Sequence, residues 1–173
     1  MGRVRTLSFL CVALVVGPEW GLACGDKFLV VGRGVRQGRA FGVTHPASIL
    51  IYANPQSALP AALEESRLDA HLRKAGHRVT SVENARELQA ALSGGGIDIV
   101  VTAVSDMNAL EPEVRAAASK PVLLPVIYNP TGRELTAAEK TYSCVLKAPS
   151  RNQDYVEVIN EALKLRTSQA KAH

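Results

Sequence analysis

The run IDIVVTAV at residues 97–104 is the strongest single indication of the fold in this 173-residue chain. It is almost continuously apolar and rich in β-branched residues, which is typical of a strand buried on both faces. Four other apolar runs accompany it, and we predict further strands at residues 48–53, 77–82, 121–128 and 143–147. Strands buried on both faces occur in parallel sheets that helices cover on either side, so the sequence indicates an α/β protein.

Segments with helical periodicity alternate with these strands. The predicted helices cover residues 57–75, 85–92, 110–119 and 153–166, and a short helix begins at residues 136–139. Capping boxes at Asn84 and at residues 136–139 mark the starts of the second helix and of the short helix. Five strands alternating with five helices predict a doubly wound five-stranded parallel sheet in a flavodoxin-like three-layer sandwich. Residues 27–31 (KFLVV) are predicted to add an extra N-terminal strand at an edge or over one end.

The first 23 residues have the three-part organisation of a signal peptide. Arg3 and Arg5 form a basic front, residues 7–16 are a short apolar run, and small residues precede Cys24. The apolar run has about half of the roughly 20 residues that a membrane-spanning helix needs. We therefore predict an exported protein, periplasmic or secreted. The predicted division of the chain is a signal peptide at 1–23, an N-terminal extension at 24–47, a domain at 48–166 and a disordered tail at 167–173.

Two cysteines, Cys24 and Cys144, remain after the signal peptide is removed. In an oxidising compartment they would form one disulfide, which closes a loop of about 120 residues and contributes roughly 4–5 kcal/mol in the chain-entropy model. The alternative is a lipoprotein in which Cys24 carries the lipid and Cys144 is a buried thiol. We expect membrane contact only in that second case. The mass of the mature protein distinguishes the two hypotheses.

The charge balance is too mild to indicate a nucleic-acid partner. The whole chain has 20 Lys and Arg and 16 Asp and Glu residues; without Arg3, Arg5 and Glu19, 18 and 15 remain, a net charge of +3. The histidines lack metal-ligand spacing, and the glycines at 32–38 lack the helix that a dinucleotide-binding turn requires. We therefore predict neither a metal nor a cofactor. There is also no Gly-x-Ser-x-Gly nucleophile motif.

A Lys-Ala-Pro segment, Lys147 to Pro149, stands at the end of the predicted fifth strand. A helix with Tyr155, Ile159 and Leu163 at apolar spacing follows it. On these features residues 48–165 resemble a response-regulator receiver domain, in which a Lys-Pro pair follows the fifth strand and the lysine contacts a phosphoryl group. The resemblance implies the same flavodoxin-like fold.

The rest of a receiver's phosphorylation site is absent from this chain. Receivers place two acidic residues after the first strand, where this sequence has Ala53 and Asn54. The phospho-accepting Asp falls on Ala103, five residues after Asp98, and the switch Ser or Thr falls near Val126. Magnesium requires carboxylate oxygens, and a methyl group cannot accept a phosphoryl group. We therefore predict a degenerate, exported pseudo-receiver that is not phosphorylated.

Our leading hypothesis is a protein-binding module of the cell envelope that has an unknown envelope protein as its partner and no catalytic residue. The resemblance implies a docking face built from the fourth strand, the fourth helix and the fifth strand. This face corresponds to residues 128–147, with Tyr128 and Tyr142 as candidate contacts. A weaker hypothesis is a structural lipoprotein of the envelope, anchored through Cys24.

The alternative hypothesis is a domain, hydrolytic or not, that binds a small polar or anionic ligand. In open α/β sheets, ligands bind at the carboxyl edge, and polar residues follow the predicted strands there. Lys147 would hold the ligand; otherwise it would pair with Asp106 or cap loop carbonyl groups. The candidate ligand-binding residues are Asn54, Gln56, Thr102, Ser105, Asp106, Asn129, Thr131 and Lys147.

Overall fold

The computed structural model of the protein describes residues 46–171, with side chains as far as Ser168. The signal peptide, the strand predicted at residues 27–31 and Cys24 lie outside the described residues. Export, the disulfide and lipidation therefore stay predictions. Within residues 46–171, no helix is long and apolar enough to cross a membrane.

Strands and helices alternate along the described chain. The strands are β1 (Ser48–Tyr52), β2 (Arg78–Val82), β3 (Ile99–Ala103), β4 (Val122–Tyr128) and β5 (Leu146–Ala148). The helices are α1 (Leu59–Ser66), α2 (Leu68–Lys74), α3 (Ala85–Ser93), α4 (Met107–Ala116), α5 (Gly132–Thr141) and α6 (Asn152–Lys171). A short 3-10 turn, Val104–Asp106, joins β3 to α4.

The strands form one sheet in the order β2-β1-β3-β4-β5, and every neighbouring pair is parallel. This is the strand order of flavodoxin-like proteins, so the predicted doubly wound α/β fold is confirmed. β5 pairs with β4 only over residues 126–128 of β4. Pro125, which has no N–H to donate, therefore lies just outside the part of β4 that has a partner on both sides.

Alternate residues of β1 pack into two separate apolar layers. Ile49 and Ile51 belong to a layer that includes residues of α1, α2 and α6, whereas Leu50 belongs to a layer with residues of α3 and α4. All three side chains are at most 1% exposed. Complete burial of such a side chain contributes about 1.5–3 kcal/mol. Burial on both faces explains why β1 and β3 have no polar alternation in the sequence.

The helix predicted at residues 57–75 is wrong in one respect, because it is two helices. Arg67 has a left-handed backbone (φ 49°) and separates α1 from α2. Its backbone N–H donates to the carbonyl oxygen of Leu63, which closes α1. Leu68 and Leu72 are still fully buried after the break. The spacing of the apolar residues gave no sign of the interruption, since neither glycine nor proline marks it.

The cap of α5 lies earlier than predicted. Thr131 accepts a hydrogen bond from the Glu134 backbone N–H (3.3 Å), and a Glu134 side-chain oxygen accepts one from the Thr131 backbone N–H (2.8 Å). The predicted box at residues 136–139 has the same Thr-x-x-Glu pattern but lies inside the helix, where the Thr136 hydroxyl donates to the Gly132 carbonyl oxygen. Two overlapping capping signals were present, and the first of them begins the helix.

The predicted cap of α3 is confirmed at Asn84, whose side-chain oxygen accepts a hydrogen bond from the Glu87 backbone N–H (3.0 Å). The reciprocal bond differs from a standard capping box, because the Glu87 carboxylate accepts from the backbone N–H of Glu83 (3.1 Å) and not from that of Asn84.

Three other boundaries differ from the prediction. α4 begins at Met107 and not at residue 110, since the 3-10 turn leads directly into it. β5 begins at Leu146, so Cys144 is buried in the loop before the strand. α6 continues to Lys171, so the helix includes most of the segment for which a disordered tail was predicted.

His77, at the start of β2, gives the fold a pH dependence. The side chain is 4% exposed, and its Nδ1 accepts a hydrogen bond from the Ala47 backbone N–H (3.2 Å). Burial lowers the pKa of His77 below its ordinary value of 6.5. Below that pH the unfolded chain binds this proton more readily than the folded chain does. We expect the free energy of unfolding to decrease as the pH falls from about 6.5 to the lowered pKa of His77. Above pH 7 His77 should cause no change of stability with pH.

Urea unfolding between pH 5 and pH 8 tests this expectation. The matched variant is His77→Asn, because the asparagine Oδ1 can accept the same bond from Ala47 without titrating. The wild type should lose stability relative to the variant on the acid side. Parallel pH profiles for the two proteins would contradict the prediction.

Candidate functional site

The strand order places a crevice at the carboxyl ends of β1 and β3. From β1 the chain continues to β2 on one side and later enters β3 on the other, which makes this the topological switch point of the sheet. Open α/β sheets bind ligands at this position. The two segments that leave these strands, Ala53 to Gln56 and Val104–Asp106, therefore provide the candidate site.

Asn54 and Asp106 are brought together here. Asn54 Nδ2 donates a hydrogen bond to Asp106 Oδ1 (3.2 Å). The amide oxygen of Asn54 accepts from the Gln56 backbone N–H (3.0 Å), which fixes the orientation of the side chain. The second carboxylate oxygen, Asp106 Oδ2, is buried and has no hydrogen-bond partner among the described residues. Of the two Asp106 carboxylate oxygens, Oδ1 therefore has a hydrogen-bond partner and Oδ2 has none among the described residues.

Thr102 adds a second buried polar atom without a partner. The residue is 0% exposed, and within the described chain its Oγ1 makes no hydrogen bond. Thr102 is opposite Tyr52 in the register of β1 and β3 and opposite Pro125 in that of β3 and β4. Strand alternation places Thr102 on the same side of the sheet as Val100, which packs against α3 and α4.

Tyr52 completes the group that we call the switch-point cluster: Tyr52, Asn54, Thr102 and Asp106. Tyr52 is 9% exposed at the end of β1. Burial raises the pKa of the Tyr52 hydroxyl, and the negative charges of Asp106 and Glu113 raise it further. The hydroxyl is therefore protonated at neutral pH and can both donate and accept a hydrogen bond. No sequence pattern marks Tyr52 as a site residue, since only the register shows that it lies beside Thr102.

Lys147 does not belong to this cluster, contrary to the prediction. It is the central residue of β5, exposed, and opposite Ile127 of β4. β4 separates β5 from β3, and the Lys147 ammonium group forms no ion pair or side-chain hydrogen bond with any residue whose side chain is described, Asp106 included. The predicted pair of Lys147 with Asp106 is therefore not formed, while the role of Lys147 as a ligand-holding cation stays a prediction.

The other predicted ligand-binding residues do not join the cluster. Gln56 and Ser105 are exposed. Asn129 has a left-handed backbone (φ 45°), and its N–H donates to the Ala148 carbonyl oxygen (2.7 Å). Thr131 caps α5. The last two residues therefore shape the loop after β4.

The two tyrosines proposed as partner contacts have different surroundings. The Tyr128 hydroxyl donates to the carboxylate of Glu65 on α1, and the ring packs against the layer that contains α1, α2 and α6. This hydrogen bond is the main cause of the raised pKa of Tyr128. Tyr142 is the half-buried residue that ends α5. The Tyr128 side chain is thus hydrogen-bonded to α1, whereas Tyr142 lies at the end of α5, within the predicted docking face.

The positions that the predicted receiver resemblance assigns to a phosphorylation site lie in or directly after β1, β3 and β4. Ala103 is the last residue of β3 and is 5% exposed, and Val126 lies opposite it in β4. Ala53 and Asn54 directly follow β1. Among residues 46–168, no three His, Cys, Asp or Glu side chains gather as metal ligands would.

Thr102→Val is expected to raise the free energy of unfolding by about 1 kcal/mol. Valine has nearly the shape of threonine, so the change removes a buried polar atom without a partner and retains the packing. For a domain of this size the melting temperature should rise by roughly 3–5 °C. Thermal and urea unfolding measure both quantities.

The matched control is Thr80→Val, since Thr80 is exposed on the edge strand β2. This substitution should change the free energy of unfolding by less than about 0.5 kcal/mol. If Thr102→Val destabilised the protein by 1 kcal/mol or more, the hydroxyl would have a partner in solution and the assignment would be wrong.

Comparisons of this chain with models of protein families, with curated proteins and with solved structures found no match.

Proposed function

We propose that this domain acts by binding and that the switch-point cluster is the site at which it takes a small polar ligand. The observation that carries the proposal is the pair of buried atoms without partners, Thr102 Oγ1 and Asp106 Oδ2. A buried polar atom that lacks a hydrogen bond costs about 1–3 kcal/mol. A binding site can retain such atoms for the groups of its ligand, and both of these lie in the segment of β3 and its following turn that leads away from the switch point.

The chemistry of the same edge argues against phosphoryl transfer. The end of β3 is Ala103, which has no nucleophilic atom, and Asn54 occupies a position where a receiver has a carboxylate. Asp106 alone does not supply the acidic oxygens with which proteins hold Mg²⁺. A degenerate receiver-like domain that binds without being phosphorylated is consistent with both substitutions.

Chemical-shift mapping of the isotope-labelled mature protein tests the proposal. The probes are small compounds of different charge: methylammonium chloride, sodium acetate and ethylene glycol. We expect at least one to shift the amide resonances of residues 52–54 and 102–107 in a saturable way, and the shifts should weaken in Thr102→Val but not in Thr80→Val.

Two results would count against the site. One is a set of probes that leave those amides unchanged in the wild type. The other is a high-resolution experimental structure in which an ordered water joins Thr102 Oγ1 to Asp106 Oδ2, combined with the absence of probe binding. The water would then satisfy the hydrogen-bonding needs of both atoms.

Protein binding through α5 is a second candidate function, and one feature of α5 favours it. Leu135, Ala138 and Tyr142 recur at helical spacing, which gives the helix an apolar strip. Only Ala138 is buried, while Leu135 and Tyr142 are half-exposed. An envelope protein that presents apolar surface could cover the rest of the strip.

A capture experiment on envelope extract tests this second candidate. Tyr142→Ala should abolish capture of a partner that the wild-type domain retains, because an aromatic contact is lost. The matched control is Tyr128→Phe, which removes only the hydroxyl bonded to Glu65. If both variants captured the same proteins as the wild type, the α5 strip would not be the contact surface.

A further inference from the structure

The charge around the switch-point cluster has one sign. Asp106 forms no ion pair with any residue whose side chain is described. The two charged groups that act on the Tyr52 hydroxyl are both acidic, Asp106 and Glu113. The first turn of α4 adds about half a positive charge, which is smaller than the full negative charge of Asp106. The net field at the cluster is therefore negative.

We propose that the ligand presents a small positively charged ammonium group, bound by Asp106 Oδ2 together with the hydroxyls of Thr102 and Tyr52. This inference rests on the proposed function. An ammonium group has three donors and no acceptor, and the cluster offers three oxygen acceptors for it. The carboxylate oxygen and the Thr102 hydroxyl have no other partner within residues 46–168, so neither would give up an existing bond.

Other ligand charges fit the cluster less well. An anion would meet Asp106 without a cation to offset the repulsion, since Lys147 lies on β5 with β4 between. A divalent metal ion would find one carboxylate, whereas calcium takes six to eight oxygen ligands and magnesium a near-ideal octahedron. The prediction of a small polar or anionic ligand counted Lys147 into the site, and without that residue the cluster has no cation for the anionic alternative.

Titration of the labelled mature protein at constant ionic strength tests the inference with three probes: methylammonium chloride, sodium acetate and magnesium chloride. We expect saturable shifts at residues 102–107 with methylammonium alone. Asp106→Asn should weaken this binding about tenfold or more, because a charge-assisted hydrogen bond is lost. The variant retains an oxygen that can accept the bond from Asn54, so the loop geometry should persist.

Two further variants make the result specific. Tyr52→Phe removes one hydroxyl and should weaken methylammonium binding several-fold, a readout that remains if Asp106→Asn fails to fold. Asp69→Asn makes the same chemical change in the first turn of α2 and should leave the affinity unchanged.

The outcomes separate this inference from the proposed function. If acetate or magnesium binds at residues 102–107 and methylammonium does not, the ligand class is wrong and the site stands. Equal methylammonium affinity in the wild type and Asp106→Asn would also overturn the ligand class. If no probe shifts these amides, both proposals fail.

Discussion

Replacing Ala103 with aspartate should lower the free energy of unfolding by about 3 kcal/mol or more, and the variant should still take up no phosphate. Ala103 is 5% exposed and belongs to the layer with α1, α2 and α6. A carboxylate placed there meets Val126 of β4 and the other apolar side chains of that layer. Burying an unpaired charge is among the most costly of single substitutions.

Phosphate uptake should fail for a second reason, which is independent of stability. Acyl phosphate formation in receivers depends on a magnesium ion, and the segment after β1 supplies Asn54 where a carboxylate would be needed. Incubation with acetyl phosphate and magnesium chloride, followed by intact-protein mass measurement, should find the variant and the wild type equally unmodified.

The pH dependence of Ala103→Asp provides an internal control. Burial should raise the pKa of the introduced carboxyl group above its value of about 3.9 in the unfolded chain. The loss of stability relative to the wild type should then be complete at neutral pH and shrink as the pH falls toward 4, because the folded state accepts the proton first. A variant that is as stable as the wild type and acquires a phosphate would show that the end of β3 opens to solvent and to a metal.

The fold was predictable from this sequence because burial leaves a direct trace in it. Strands such as β3 are covered on both faces, so nearly every residue is apolar and the run stands out without any alternation. The break between α1 and α2 left no such trace. Arg67 adopts a left-handed backbone, and the apolar spacing on either side continues as if the helix were unbroken.

The candidate site was predictable in part. Asn54, Thr102 and Asp106 were found because the carboxyl ends of parallel strands meet at one edge, which follows from topology alone. Tyr52 was not predicted, and Lys147 was placed in the site, because the positions of both side chains depend on register and strand length. A fifth strand that ends one residue later than predicted leaves Lys147 within β5, on the side opposite to the buried Leu146 and Ala148.

Asp98→Ala should lower the free energy of unfolding by about 2–3 kcal/mol. Asp98 Oδ2 accepts a hydrogen bond from the Ser48 backbone N–H (2.7 Å), and Oδ1 accepts one from Arg166. Arg166 also donates to the Ser119 carbonyl oxygen (3.2 Å). One carboxylate thus joins the starts of β1 and β3 to α6, and its removal leaves a backbone donor and a guanidinium group without partners.

Double-mutant analysis by urea unfolding isolates the ion pair. Arg166→Ala should cost less than Asp98→Ala, about 1–2 kcal/mol, because the arginine side chain is 34% exposed and Ser48 keeps its acceptor. The two losses should add to more than the loss in the double variant, with a coupling of about 1 kcal/mol, since the residues share one interaction. Glu161→Ala removes the exposed pair with Lys164 and should cost less than about 0.5 kcal/mol. If the Asp98 and Arg166 losses were strictly additive, the carboxylate would stabilise the fold through Ser48 alone.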